Sequence, residues 1–98
     1  MTSHPRLHLD PRVHSPVRFS LLSLLRSVDE TDFGTAREVL GVSDSTLSQA
    51  VAALEEAGFV RSVRRRGLGS ARVWLAVTED GERQLRRHME TLHQISGL

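Results

Sequence analysis

GTAREVLGVSDSTLSQAVAALEEAGFVRSVRRRGLGSARVWLAV, residues 34–77, carries the pattern that decides the fold. Its first half reads as two short helices meeting at a tight turn. Asp32 is placed to cap a helix that runs to about Leu40, with Phe33, Ala36, Val39 and Leu40 inward. Gly41 ends that helix, because glycine takes the left-handed conformation at little cost, and Val42 plugs the turn. Ser43 caps the next helix, and Asp44 lies where the helix dipole favours an anion. That helix points Leu47, Ala50, Val51 and Leu54 at a core. Its other face shows Ser45, Ser48, Gln49 and Ala52, and Gly58 stops it. The period then changes to two. Residues 59–65 and 71–77 read as strands, with Val73, Leu75 and Val77 alternating with Arg72, Trp74 and Ala76. Gly67, Leu68, Gly69 and Ser70 form a flexible tip. Helix, turn, helix and basic hairpin in this order predict an α+β fold, a winged helix-turn-helix with a two-stranded wing.

The flanks extend this frame. Ser15 followed by Pro16 is a helix start signal. Behind it Val17, Leu21, Leu24, Leu25 and Val28 share one face, while Phe19 and Leu22 lie off it and leave apolar surface for a second packing partner. Residues 29–32 read as a polar break. Thr78 caps a last helix from Glu79 to about Ile95, with Leu85, Met89 and Leu92 as a narrow seam and Ile95 near its end. Residues 1–14, with Pro5, Pro11, three histidines and little apolar content, read as a partly flexible arm with a short turn opened by Asp10 and Pro11. Residues 15–98 then form a single domain whose last helix covers about 78–96.

Composition bounds the class. Ninety-eight residues make one domain. A chain of this size buries only about 60–65% of its unfolded surface, so its core is thin and dimerisation helps. A hydrophobic content of 39% suits a globular protein. No run of about 18 apolar residues marks a membrane helix, and the N-terminus lacks an apolar signal core. Cysteine is absent, which excludes disulfides and thiolate metal sites. The expected location is the cytoplasm. The net charge of +1 hides a polar molecule. Residues 29–56 hold seven acids and one base, whereas the hairpin holds Arg61, Arg64, Arg65, Arg66 and Arg72 and no acid.

That division suggests a double-stranded DNA partner. The major groove of B-DNA admits one helix. Ser43, Ser45, Thr46, Ser48 and Gln49, with the small Ala52 beside them, form the face expected to enter it. Gln49 can bond an adenine edge bidentately. The five hairpin arginines are expected on phosphates or in a narrow minor groove. Four such contacts predict a log-affinity against log-salt slope near about −3.6. The third helix itself carries no Lys or Arg and ends in Glu55–Glu56. The binding charge must therefore come from the wing, from Arg37 or from the arm.

The segment GVSDSTLSQAVAALEEAGFV, the arginine-rich hairpin after it, and LAVTEDGERQL resemble the compact winged-helix regulators of the multiple-antibiotic-resistance regulator (MarR) class. LDPRVHSPVRFSLLSLL and DFGTAREVLGVSDSTLS fit the roughly 100-residue subgroup, over about residues 9–95. The resemblance implies a homodimeric transcription regulator, usually a repressor, on a pseudo-palindrome. It implies a third helix in the major groove and a dimer built by the first and last helices. We assign that interface to Val17, Leu21, Leu85, Met89, Leu92 and Ile95. The chain departs from the class at Gln49, Ala52 and Ala53, where basic or larger polar residues are common.

Other classes find little support. The chain has no GxSxG, phosphate-cradling glycine loop, HExxH or nucleophile–base pattern, so no catalytic residues, enzyme activity or cofactor are expected. His4 and His8, and His88 and His93, lack carboxylates at ligand spacing, so no metal site is expected. Any small-molecule effector is unknown from the sequence. Trp74 reads as a packing residue on the outer face of its strand. The alternative function is a winged-helix protein–protein interaction module whose basic hairpin docks an acidic partner.

Overall fold

The computed structural model describes residues 4–67 and 69–97. Leu68 of the expected hairpin tip and Leu98 of the expected domain lie outside them, as do residues 1–3 of the arm. The elements run α1 (Pro16–Val28), β1 (Glu30–Asp32), α2 (Phe33–Leu40), α3 (Asp44–Glu56), β2 (Val60–Arg66), β3 (Ala71–Val77) and α4 (Glu79–Ser96). A 3-10 turn, Pro5–His8, precedes them. The fold is the expected winged helix, α+β, with one addition: the sheet has three antiparallel strands in the order β1-β3-β2.

Strand β1 replaces the expected polar break. Asp29 adopts φ +68° with ψ −50°, outside both the right- and left-handed helical regions, and the chain leaves α1 abruptly there. Glu30, Thr31 and Asp32 then pair with Ala76, Leu75 and Trp74. Three polar residues give no alternation to read; only the tertiary partner β3 makes them a strand. Asp32 closes β1 and caps α2 in the same step, its carboxylate accepting from the Thr35 N–H at 3.1 Å. Gly41 ends α2 in the left-handed conformation, φ +65°, donating to the Arg37 and Glu38 carbonyls.

The core joins Leu21, Leu22 and Leu25 of α1 to Ala36, Leu47, Val51, Leu54, Phe59, Val60, Leu75 and Leu85. Leu47, Ala50, Val51 and Leu54 are all buried on α3, as its periodicity implies. Three sequence expectations are corrected. Leu22, placed off the α1 stripe, is fully buried, while Val28, placed on it, is exposed. Val39 is exposed rather than inward, because the core side of α2 is covered by Ala36 with Phe33 and Leu40 beside it. Val13, placed in the arm, has no exposed surface and belongs to the core. Its segment is fixed by a backbone turn in which Val13 and His14 both donate to the Asp10 carbonyl.

The start of α4 is bolted to the end of α3. Thr78 donates its backbone N–H to the Phe59 carbonyl and its hydroxyl to the Gly58 carbonyl, and accepts from the Gly81 N–H. A β-carbon at Gly81 would collide with the Phe59 carbonyl and the Val77 side chain, so only glycine permits this approach.

Candidate nucleic-acid interface

Helix α3 presents its polar face on a well-defined start. The Ser43 hydroxyl accepts from the Thr46 N–H at 3.2 Å, satisfying one orphan donor of the first turn. It also donates to Thr46 Oγ1 at 2.9 Å and lies 3.3 Å from Ser45 Oγ. Ser43 and Thr46 are therefore largely occupied with each other, which leaves Ser45, Ser48 and Gln49 as the freer groups. Ser43, Ser45, Thr46, Ser48, Gln49 and Ala52 are all exposed. Asp44, in the first turn, is paired with Arg37 of α2 at 2.9 Å. The acid that opposed phosphate binding in the sequence thus has its counter-charge built in.

The hairpin arginines do not form one patch. Strand register places Val60, Ser62, Arg64 and Arg66 opposite Val77, Leu75, Val73 and Ala71. This is the core-facing side, since Leu75 is buried and the face continues past the core towards the tip. Arg61, Val63 and Arg65 oppose Ala76, Trp74 and Arg72 on the outer face. Alternation thus sends Arg64 and Arg66 to the helix side, and Arg61, Arg65 and Arg72 to the far side.

Arg65 is further engaged. Its guanidinium bonds both oxygens of Glu30, at 2.9 and 3.1 Å, reaching across β3. It also lies 5.5 Å from the centre of the Trp74 ring. The bond to Arg65 holds the Glu30 carboxyl below its ordinary range and raises the guanidinium in turn. Glu30 escaped sequence reasoning because nothing in ETD signals a strand, so nothing placed it near the wing.

Two assigned interface residues are corrected. Leu21 and Leu85 are 0% and 1% exposed within the single chain, so neither has surface to give a partner. Leu85 packs into the chain's own core. Val17 and Leu92 are half-buried, and Met89 and Ile95 are exposed.

The histidines meet in a combination that sequence spacing did not suggest. His88 of α4, 4% exposed, has Nε2 at 3.5 Å from His14 Nδ1, and its ring centre lies 5.2 Å from that of Phe19. Its Nδ1 is buried without a hydrogen-bond partner. Burial pushes the imidazole below its ordinary value and the charge of His14 adds to this, while Asp10 opposes it. His4 uses its Nδ1 locally, accepting from the Arg6 N–H at 3.1 Å.

Among the described residues, no helix is long and apolar enough to cross a membrane. No curated protein sequence matches the chain. Among solved structures, it is similar to a transcriptional regulator homologue from Pyrococcus horikoshii OT3, with TM-score 0.86 and 18% identity over 94% of this chain and 91% of that one. It is also similar to the PcaV transcriptional regulator from Streptomyces coelicolor in complex with its natural ligand, with TM-score 0.78 and 24% identity over 93% of this chain and 63% of that one. For NadR in complex with 4-hydroxyphenylacetate the TM-score is 0.71 and the identity 22%, over 95% and 65%. The chain thus spans less than two thirds of these last two regulators. The family description Winged helix DNA-binding domain matches residues 17–96. With α3 capped and exposed beside an arginine-bearing hairpin, the chain belongs to the winged helix DNA-binding domain family, and its fold is similar to that of transcriptional regulators of the MarR class.

Proposed function

We propose that the protein is a homodimeric repressor that binds a pseudo-palindromic duplex sequence-specifically. The observation that carries this reading is the α3 surface. Six small or uncharged polar residues, Ser43 to Ala52, are exposed on a helix whose opposite face is locked into the core. These side chains add no cationic attraction to the phosphate backbone, and their neutral donors and acceptors match those of base edges. Arg64 and Arg66, on the helix side of the hairpin, supply the sequence-independent attraction, with Arg61 and Arg72 on the outer face as further phosphate contacts. Val17, Met89, Leu92 and Ile95, at the start of α1 and along α4, are the surface we assign to the second copy. The two α3 helices then sit about one helical turn of DNA apart.

The test is fluorescence anisotropy with the DNA upstream of the protein's own gene against a scrambled duplex, at several salt concentrations. Selective binding with a steep salt dependence supports a sequence-specific regulator. Equal, weak binding to both duplexes overturns it and favours a module whose basic hairpin docks an acidic protein.

A further inference from the structure

The outer surface of α3 is rich in acceptors and lacks cationic donors. Its first turn projects Asp44, whose side chain is 81% exposed although it pairs with Arg37 at 2.9 Å. Behind it stand Ser45, Ser48 and Gln49, all exposed. We infer that Asp44 is a specificity-determining residue that reads a cytosine in each half-site, with Arg37 as its positioning residue. The inference rests on the reading of α3 as the helix that enters the major groove.

The chemistry selects the base. An ionised carboxylate only accepts hydrogen bonds. In the major groove guanine shows two acceptors, N7 and O6, and thymine shows the O4 acceptor and a methyl group. Both repel Asp44 or leave it unbonded. Adenine offers the N6 donor, but with the N7 acceptor next to it, facing the second carboxylate oxygen. Cytosine offers the N4 donor with only a C–H edge beside it, and it is the base that suits a carboxylate.

The electrostatics explain Arg37. An isolated carboxylate carried into the groove would meet phosphate repulsion from both strands. Arg37 comes from α2, on the other side of the tight turn, and makes the pair neutral as a unit. It holds one carboxylate oxygen and leaves most of the group in solvent. An acid in the first turn also complements the helix dipole. That role explains an acid at this position and predicts no base preference, so the two roles separate experimentally.

Selection from a random duplex library, with the wild type and Asp44→Asn in parallel, is the experiment. The wild type is expected to enrich cytosine at one position of each half-site, by about 5- to 150-fold over the other bases. Asp44→Asn is expected to lose that cytosine and shift towards adenine, with the remaining positions unchanged. An unchanged consensus in Asp44→Asn overturns the inference and leaves DNA recognition standing. A wild type that enriches no sequence overturns DNA reading itself. A second arm uses the unaltered protein. Replacing the selected cytosine by its analogue without the 4-amino group, pyrimidin-2-one, should weaken binding by a similar factor. Equal affinity for both duplexes overturns the assignment even if the variant folds poorly.

Discussion

Helix α3 and the β2–β3 hairpin adjoin in sequence and, in the proposed function, divide one task between them. The helix is anchored by four buried side chains, capped by a serine and shows no Lys or Arg. The hairpin carries five arginines, and beyond its first residues β2 is mostly exposed. A base-reading surface must be held to fractions of an ångström, because hydrogen bonds to base edges are short and directional. A phosphate-binding surface works through charge at longer range, screened by salt. The difference in anchoring therefore matches the difference in chemistry. In the proposed function it separates discrimination, placed on the helix, from salt-dependent affinity, placed on the wing.

The comparison breaks most visibly if α3 loses its anchor. Leu47→Ala removes a fully buried side chain beneath α3 and should cost about 2–5 kcal/mol in denaturant unfolding. Arg66→Ala, on an exposed stretch of the wing, should stay within about 0.5 kcal/mol of the wild type. Equal losses would mean that the wing is as much a part of the core as the helix.

Smaller and sharper is the effect of Gln49→Ala. It should cost about 1–3 kcal/mol of discrimination at one base pair in competition assays, with the salt slope unchanged. A uniform loss across all sequences would move Gln49 from the reading surface to the backbone. Next comes the wing. Arg64→Ala with Arg66→Ala removes four contacts from the proposed dimer and should flatten the salt slope by about 3.6, on the order of 150-fold in affinity between 50 and 200 mM salt. Arg65→Ala should change it less, because Glu30 already holds that guanidinium. If Arg65→Ala proves the larger change, the Glu30 clamp opens on DNA and all five arginines act as one patch.

How much of this was legible follows the range of the interactions. Ser43, Gly41, Asp32 and Thr78 announce their caps within three or four residues, and the structure places each cap there. The α3 core face follows from helical spacing alone. The split of the wing arginines was also present in the alternation of β2. Treating RRR as a single charge run concealed it. Strand β1, the Glu30–Arg65 clamp, the burial of Val13 and the contact of His14 with His88 join residues that are distant in sequence. No local propensity reports such meetings. Leu85 shows the same limit. Periodicity put it on an apolar seam and could not say whether the seam faces a partner or its own core.

Neither α3 nor the hairpin contains a histidine, so a stability change near neutral pH must originate elsewhere. His88 is the group placed to produce one. It is faced by Gln84 and Arg87 of its own helix, by His8, Asp10, Arg12 and His14 of the N-terminal segment, and by Phe19 of α1. Its folded imidazole titrates below its ordinary value of about 6.5. The unfolded chain therefore takes up the proton first as pH falls, and more protons are bound unfolded than folded. The stabilisation is complete above about pH 6.5 and declines below it, until the folded imidazole is also protonated. The slope cannot exceed about 1.4 kcal/mol per pH unit for this one group. A second decline, from Asp10, starts only near the ordinary aspartate value of 3.8, because Arg12 holds that carboxyl lower still. His88→Leu keeps a side chain of similar bulk and should flatten the upper decline in thermal unfolding between pH 7 and pH 5. The lower one should remain. An unchanged upper slope would place the titration on an exposed histidine. His88 would then contribute no pH dependence to the joint between the N-terminal segment and α4.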